Sequence, residues 1–569
     1  MNGLRSVTRR IAIIAMRDDT MHILALPIIV TLFAAIYFGG NHAYGAWGDD
    51  AHGYALVASR IAHGEAVTHQ NEMVSLWVEN LGRANAWIAK PTHFDILNES
   101  GDIGSRYPLA FPALLAAGSG VSADDAGMYL VVPILGLASH VAIYFIVKSI
   151  VPGRRGTILG LLAAAMLGSS IVFSARVLAQ PLRETPSTAY LLLSFLALIA
   201  ATRRRLPREV IFLVAIAGLA FGVAFAIKEI NAVAMAPSVA ILLVMTIRNI
   251  PGSIRLTAIA LFAVGIVIAL TPYLVDTISR TALNEFPLDE DAFLSRTYRD
   301  SRGLDVSNLE NGLQASRSQV PDLVDSPVFL PLVLAGLAGG ALLRRIPWII
   351  LSLFLWAALT VLVYAFWVNH YPRYLVPAIP PLVLLAIFGI DSMSTLVERF
   401  LRLRWSNRAV PFIAACAGLA VAGAIIAPGM HDTFALAYTE PVVGRGMTLH
   451  DLRLVQELRL LPDDSIVLFG SGTKGKRSLQ RQNAIHQLTL AHARQPGIKL
   501  PREPTSGEFA DLARFLEMTA PTSTLFLWDE EGSSTGSTLL RSLGYDCEHS
   551  QKFAFDSGPA VNLCRLKQL

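Results

Sequence analysis

The sequence is poor in charged residues and in cysteine. Asp, Glu, Lys and Arg make up 16% of its 569 residues, whereas hydrophobic residues make up 53%, and the mean hydropathy is +0.49. This composition is too apolar for a soluble multidomain protein. The three cysteines are not closely spaced, which excludes a zinc ribbon. The net charge of +4 does not indicate a nucleic-acid partner, because membrane proteins sort charges of each sign to opposite faces.

Long apolar runs dominate the first three quarters of the chain. Eleven of them approach the length that crosses the hydrocarbon core as a helix. The first has no small-residue cleavage signal, so it is expected to be a retained span and not a signal peptide. The runs are 21–40, 126–147, 157–173, 187–201, 210–227, 232–247, 256–275, 328–343, 347–368, 374–390 and 409–427. They predict an all-α polytopic membrane bundle of about 11 transmembrane helices.

The positive charges of the short loops predict the orientation of this bundle. Lys and Arg accumulate on the cytoplasmic side of membrane proteins. The N-terminal stretch and the alternate loops that share its side carry 19 basic residues, and the short loops of the opposite set carry four. We therefore expect a multi-pass protein of the bacterial inner membrane, with the N-terminus in the cytoplasm and the C-terminus in the periplasm.

Three long segments then lie on the outer side. They are the first loop, 41–122, a second loop, 276–327, and the part after Pro428. Residues 429–569 are less apolar, and strand-like "SIVLFG" and "STLFLW" flank helix-like "GEFADLARFLEM" before a predicted terminal hairpin. The chain thus divides into a membrane domain, 1–428, and a small periplasmic α/β domain, 429–569. Cys547 and Cys564 lie on the two predicted hairpin strands, where a disulfide is one of two open alternatives.

An acidic pair, Asp49 and Asp50, follows the first apolar run. The residues after it place apolar side chains at helical spacing, at Tyr54, Val57, Ala58 and Ile61. This spacing predicts an amphipathic helix that lies on the membrane surface. One carboxylate can cap that helix by accepting backbone N–H bonds. Either carboxylate can instead serve as a general base towards an acceptor hydroxyl.

Single cations lie beside several helix ends on the predicted outer side. Arg106 and Tyr107 precede a short proline-punctuated apolar segment, "RYPLAFPALLAAG". Further cations lie in "SARVLAQPLRETPS", "AIKEINAVAMAP" and "NHYPRYLVPAIPPL", at Arg176, Arg183, Lys228 and Arg373. Individually such residues are typical interfacial anchors. Together they form an arrangement suited to a lipid phosphate.

In order and topology these motifs resemble the GT-C superfamily of membrane glycosyltransferases. The resemblance covers roughly the first 400 residues and is strongest to the bacterial branch with lipid A aminoarabinose transferases, lipopolysaccharide-core galacturonosyl transferases and protein O-mannosyltransferases. It implies an inverting single displacement from a polyprenyl-phosphate-linked sugar. The acceptor would be a periplasmic-side glycan, lipid such as lipopolysaccharide, or protein.

The resemblance also implies roles for residues. Asp49 or Asp50 would be the catalytic base or would orient the acceptor. The donor phosphate would be bound by Arg106, Lys228 and Arg373, with Arg176 and Arg183 beside them. Secondary candidates are Lys90, Tyr107, Glu184 and His52. No cofactor is certain, and a divalent metal on Asp49 and Asp50 is an alternative that the family allows, although the first-loop histidines form no compact ligand pattern.

Other classes of protein remain as alternatives. A transporter or flippase for a lipid-linked intermediate would place ionisable residues or broken helices near the bilayer midplane. These spans instead have apolar centres and charged ends. A polymerase or ligase of surface polysaccharide would have a large late outer loop rich in arginine. The sequence "GSGTKGK" fits part of a nucleotide-binding loop, but Arg477 replaces the hydroxyl residue that holds Mg²⁺.

Overall fold

The structure is a computed structural model. It describes residues 18–39, 49–91, 94–105, 108–121, 125–179, 182–204, 206–283, 308–324, 326–342, 346–367, 370–404, 410–439, 449–470, 482, 486–487, 489–501, 503–530, 535–554 and 561–569, and for Asp49, Asp50 and His52 the backbone only.

Helices make up most of the described chain. In order they are α1 (Asp18–Gly39), α2 (Asp49–Ala62), α3 (Glu72–Leu81), α4 (Ala110–Ser119), α5 (Val131–Ile150), α6 (Gly153–Ser169), α7 (Ile171–Ala179), α8 (Glu184–Arg203), α9 (Pro207–Ile227), α10 (Glu229–Arg248), α11 (Gly252–Leu283), α12 (Leu309–Asp322), α13 (Phe329–Leu342), α14 (Pro347–Ala365), α15 (Ile379–Arg404), α16 (Val410–Phe434), α17 (Leu449–Glu457), α18 (Ser506–Thr519) and α19 (Thr535–Ser542).

Over the residues that the structure describes, each of the eleven apolar runs forms helix, with one interruption at Ser170. Within the described ranges, eight helices are long and apolar enough to cross a membrane, and a ninth span results if the bent pair α6 and α7 is counted as one. The other two runs correspond to shorter apolar helices, Leu24–Gly39 and Phe329–Gly340. The chain is therefore a multi-pass membrane protein, as its hydropathy predicts.

One predicted run is not a continuous helix. The run 157–173 is bent, because α6 ends at Ser169 and α7 continues at an angle of 70°. Ser170 between them has an extended backbone, with ψ of 106°, and its hydroxyl donates to the carbonyl of Leu323. The Ser174 hydroxyl donates to the Gly168 carbonyl at 2.8 Å. The Ser174 hydroxyl thus accommodates a carbonyl of α6 next to the break in the helix.

Small residues let the bundle helices approach closely. Gly336 on α13 faces α15, and a Cβ atom there would overlap the Leu385 carbonyl. Gly389 on α15 faces α13 in the same way, against the Leu332 carbonyl. Such contacts are typical of membrane helices, where packing and not the hydrophobic effect drives association.

The span centres are less purely apolar than expected. His140 is fully buried in the middle of α5, stacked on Phe33 with ring centroids 3.6 Å apart. Its Nδ1 lies 2.9 Å from the Ala164 carbonyl and its Nε2 lies 2.8 Å from the Tyr37 hydroxyl. Both contacts suit a neutral ring with the proton on Nδ1, because the carbonyl accepts and the hydroxyl donates. His140 is therefore a satisfied core residue.

The first loop forms a compact unit. Strands β1 (His69–Gln70), β2 (Phe94–Ile96) and β3 (Asp102–Ser105) form an antiparallel sheet in the order β1-β3-β2. The predicted helix exists as α2, but it does not have a single apolar face. Tyr54, Ala55 and Ala58 pack against Phe111 of α4 and its neighbours, whereas Leu56 and Val57 belong to a second core. The helix is buried on two sides, so an exposed position on a membrane surface is not observed.

The C-terminal domain has the predicted α/β elements. Strands β4 (Ser465–Phe469), β5 (Gly497–Lys499), β6 (Thr524–Glu530), β7 (Tyr545–Phe553) and β8 (Val561–Gln568) form one sheet in the order β5-β4-β6-β8-β7. The first three are parallel, and β8 pairs antiparallel with β6 and β7. Cys547 and Cys564 form a disulfide across the hairpin, with Cα atoms 5.7 Å apart. Helix α16 continues through Pro428, the predicted domain boundary, to Phe434.

The first loop and the C-terminal domain share one hydrophobic core. Trp77 of α3 lies against Phe515 of α18, with ring centroids 5.1 Å apart. Two hydrogen bonds cross the same contact: the Ser59 hydroxyl donates to the Ala491 carbonyl at 2.7 Å, and the Asn85 amide donates to Asp511 at 2.9 Å. We call this combined unit the head.

Candidate functional site

Most of the predicted cations converge on one carboxylate at the ends of the bundle helices. Glu184 is the first residue of α8, and Lys228 lies between α9 and α10. Lys228 has an extended backbone, with φ of −155° and ψ of 96°, which interrupts the helical path between the two spans. The Lys228 ammonium donates to Glu184 Oε1 at 2.8 Å, although the residues are far apart in sequence.

This ion pair is buried, since the Lys228 and Glu184 side chains are only 5% and 4% exposed. Burial of such a pair requires close geometry, because both ions lose their hydration. Arg183 and Arg373 also interact electrostatically with Glu184. Arg176 of α7 interacts with both Glu184 and Arg373. Four cations therefore surround one carboxylate, and we call this group the cation cluster: Arg176, Arg183, Glu184, Lys228 and Arg373.

Two tyrosines cover the cation cluster. Tyr364 and Tyr374 stack with ring centroids 5.2 Å apart. The Lys228 ammonium lies 4.7 Å from the Tyr374 ring centroid, and the Arg373 guanidinium lies 5.0 Å from it. The Tyr364 hydroxyl donates to Asn231 Oδ1 at 2.6 Å, which fixes its orientation. Aromatic faces stabilise cations that have lost part of their hydration.

Tyr364, Tyr374 and Asn231 were not among the sequence candidates. Asn231 and Tyr374 lie inside motifs that were considered only for their cations, "AIKEINAVAMAP" and "NHYPRYLVPAIPPL". Tyr364 lies near the end of α14 in an apolar run, where nothing in the sequence separates it from an ordinary core residue. Proximity across the fold is the signal that identifies these three residues.

The four cations of the cluster give it the capacity to bind an anion. Their guanidinium and ammonium groups can donate charge-assisted hydrogen bonds to a ligand that supplies negative charge. Arginine and lysine donors bind phosphate oxygens well, and arginine can do so through two parallel bonds. A phosphate group is therefore the ligand that this arrangement fits best.

The acidic helix approaches the same place. Ala51 and Tyr54, in the first turns of α2, belong to one apolar cluster with Leu182 and Ile227. Leu182 lies two residues before Glu184, and Ile227 directly precedes Lys228. The first turns of α2, which begins at Asp49, therefore belong to the same apolar cluster as residues next to Glu184 and Lys228, and α4 lies between α2 and α9 as their shared contact.

The remaining candidates are distributed as follows. The side chains of Asp49, Asp50 and His52 lie outside the described residues, as do Arg106 and Tyr107. Lys90 lies in the first loop, where its ammonium donates to the Phe94 carbonyl at 2.6 Å. Among the residues that the structure describes, no three His, Cys, Asp or Glu side chains are grouped to hold a metal ion. A metal on Asp49 and Asp50 stays a prediction.

Comparison with known proteins gives structural matches. No protein-family model matches the sequence, and no curated protein matches it. ArnT from Cupriavidus metallidurans bound to undecaprenyl phosphate has a TM-score of 0.57 at 15% identity, covering 94% of this chain and 97% of that chain. Its apo state has a TM-score of 0.55 at 12% identity, with the same coverage. The apo Archaeoglobus fulgidus oligosaccharyltransferase has a TM-score of 0.50 at 12% identity, covering 90% and 69%. At these identities the likeness is one of fold.

Proposed function

Because the chain has the fold of the GT-C membrane glycosyltransferases, we propose that it transfers a sugar from a polyprenyl-phosphate donor to an acceptor on the outer face of the membrane. The observation that carries this proposal is that the first turns of α2 share one apolar cluster with Leu182 and Ile227, which lie next to Glu184 and Lys228. A carboxylate and a phosphate-binding group are the two elements that such a transfer requires.

The donor phosphate binds the cation cluster. The similar fold of ArnT is known with undecaprenyl phosphate bound, which supports a carrier lipid of this kind. Lys228 and Arg373 are our main candidates for contact with the phosphate, and Arg176 and Arg183 add positive charge around them. Arg106 remains a proposed further partner. Glu184 holds Lys228 in place through their hydrogen bond.

The reaction is a single displacement with inversion. Asp49 or Asp50 accepts the proton of the acceptor hydroxyl, and the resulting oxygen attacks the anomeric carbon of the sugar. The bond between that carbon and the phosphate oxygen breaks, and polyprenyl phosphate leaves with the bonding electron pair. The cations neutralise the charge that develops on the phosphate, so that most of the acceleration comes from orientation and preorganised electrostatics.

The orientation and the kind of acceptor complete the proposal. We infer an inner-membrane location with the N-terminus in the cytoplasm and the head in the periplasm. The acceptor is a glycan, a lipid such as lipopolysaccharide, or a protein. The head, with its own hydrophobic core, disfavours a flippase or a polysaccharide polymerase, because neither function needs such a unit.

Neutralising the acidic pair tests the base. Asp49→Asn and Asp50→Asn are assayed separately in membranes with radiolabelled polyprenyl-phosphate sugars and a cell-envelope extract as acceptor. We expect one of the two to reduce transfer by about 10²–10⁴-fold, because a positioned general base contributes that much. Glu99→Gln, in the same loop, is the control and should transfer normally. Normal turnover in both aspartate variants would show that neither residue is the base.

Reporter fusions test the orientation independently of chemistry. Alkaline phosphatase is active only outside the cytoplasm. Joined after Leu569 it should be active, and joined at Arg205, in the loop between α8 and α9, it should be silent. The reverse pattern would place the head in the cytoplasm and would contradict the proposal.

A further inference from the structure

A polar cleft lies inside the head, where the first loop meets the C-terminal domain. It is near the C-terminal end of α2, whereas the acidic pair is at the N-terminal end. Its volume is about 270 Å³. The first loop supplies one wall, and the segment 490–496 of the C-terminal domain supplies the other. The polar residues of the walls are Ser59, Arg60, Glu65, His69, Gln70, Asn71, Glu72 and Arg494.

The walls of the cleft are fixed to each other. The Glu65 carboxylate joins two guanidinium groups: Oε2 lies 3.2 Å from Arg60 Nη1, and Oε1 lies 3.0 Å from Arg494 Nη1. The hydrogen bond from Ser59 to the Ala491 carbonyl lies beside them. Arg494 has a left-handed backbone conformation, with φ of 59°, which is uncommon for a residue other than glycine. The cleft is therefore preorganised and does not need to close on a ligand.

The cleft offers both hydrogen-bond donors and hydrogen-bond acceptors. Arg60 and Arg494 offer guanidinium N–H groups, and Glu65 and Glu72 offer carboxylate oxygens. Burial and the nearby Arg60 lower the pKa of His69 to about 4. Its ring is therefore neutral at physiological pH. Since Nδ1 donates to the Val67 carbonyl at 3.1 Å, Nε2 is left as an acceptor.

The chemistry of the cleft matches a sugar better than an ion. The two arginines and two glutamates cancel in charge, so no anion or cation is favoured overall. Vicinal sugar hydroxyls each donate and accept, which matches closely spaced donors and acceptors. Leu56 and Met73 add an apolar portion that a ring face can cover. The volume lies just below the roughly 300–1,000 Å³ of pockets for drug-sized ligands, which suits one monosaccharide ring.

We propose that the head cleft binds a neutral sugar residue of an oligosaccharide acceptor. This inference rests on the proposed glycosyl transfer and specifies its acceptor as a glycan. Ten residues of α2 separate Asp50 from Arg60, which corresponds to about 15 Å along a helix. The bound sugar is therefore remote from the reacting hydroxyl. A single acceptor that fills both places is therefore an extended glycan of several rings.

Direct binding tests the cleft without knowledge of the full acceptor. Methyl glycosides of glucose, galactose and mannose are titrated into the full-length detergent-solubilised protein, with saturation-transfer NMR as readout. We expect at least one glycoside to bind the wild type, and Arg494→Gln to weaken it by at least tenfold. Arg565→Gln, an exposed arginine of the same domain, is the matched control and should bind normally.

A second variant distinguishes a loss of binding from a folding defect. His69→Phe keeps a ring in place, removes the Nε2 acceptor and leaves the Glu65–Arg494 bridge intact. It should weaken glycoside binding severalfold with an unchanged melting temperature. The proposal would be overturned if no glycoside bound the wild type. It would also be overturned if Arg494→Gln and His69→Phe bound the glycosides as tightly as the wild type does. Binding of the tripeptide Ala-Ser-Ala in place of the glycosides, with the same sensitivity to Arg494→Gln, would also overturn it, in favour of a protein acceptor.

The cleft and the proposed function can fail separately. Consumption of polyprenyl-phosphate sugar by the wild type is measured in parallel with glycoside binding. Glycoside binding without donor consumption would overturn the proposed transfer and leave the sugar site. Donor consumption without glycoside binding would overturn the site and leave the transfer.

Discussion

Replacing Lys228 by methionine should abolish consumption of polyprenyl-phosphate sugar and lower the free energy of unfolding by about 3–5 kcal/mol. The large effect on stability arises because the variant leaves the buried Glu184 carboxylate without its hydrogen-bonded ammonium partner. The effect on turnover arises because the leaving phosphate loses a cation. Denaturant unfolding in detergent measures the change in stability, and mass spectrometry of the donor measures its consumption.

A double variant separates these two effects. Lys228→Met combined with Glu184→Gln removes both charges of the pair, and removing both partners costs much less than removing one. We expect part of the lost stability to return, because no buried carboxylate is left without its ammonium partner, while donor consumption stays lost. If the double variant consumed donor normally, Lys228 would be only the structural partner of Glu184.

Lys148→Met provides the matched control. Lys148 is likewise a lysine near a helix end, but it is half-buried and donates to the Gly153 carbonyl at 3.1 Å and the Thr157 hydroxyl at 2.8 Å. Its removal should cost about 1–3 kcal/mol in the free energy of unfolding, the usual contribution of two hydrogen bonds. Donor consumption should not change, because Lys148 has no place in the cation cluster.

Local sequence predicts the elements of this fold but not their breaks and contacts. Hydropathy locates all eleven apolar helices because burial in lipid requires apolar side chains along a whole span. It does not reveal the break at Ser170, because a serine within an apolar run is equally compatible with a straight helix. The hydroxyl acquires its role only when Leu323, distant in sequence, supplies the carbonyl that it contacts.

The candidate site shows the same division. Cations beside helix ends are visible in the sequence, and this is why Arg176, Arg183, Lys228 and Arg373 could be named. The pairing of Lys228 with Glu184 and the cover of Tyr364 and Tyr374 depend on the positions of four different helices and the 3₁₀ turn Pro372–Ala378. The second buried side of α2 depends on the C-terminal domain, more than 400 residues along the chain. The helical spacing of apolar residues therefore predicted one buried face of α2, whereas the fold buries two.

Replacing Trp77 by alanine is expected to loosen the entire head. Trp77 is fully buried against Phe515, and its Nε1 donates to the Ala84 carbonyl at 3.2 Å. Truncating a buried tryptophan costs about 3–5 kcal/mol. Because the first loop and the C-terminal domain share one core, hydrogen exchange should rise together in α2, α3 and α18. The helices α9 and α10 should keep their protection, since they lie in the separate core of the bundle.

Trp87→Ala is the matched control for this prediction. Trp87 lies in the same loop but is 38% exposed, and its ring contacts Lys499 at 5.6 Å from the ring centroid. Losing this contact should cost about 0.5–1 kcal/mol and leave exchange in α18 unchanged. If Trp77→Ala accelerated exchange in α3 alone, the two parts of the head would not be one cooperative unit. If it accelerates α2 as well, transfer should fall too, because α2 carries the proposed base.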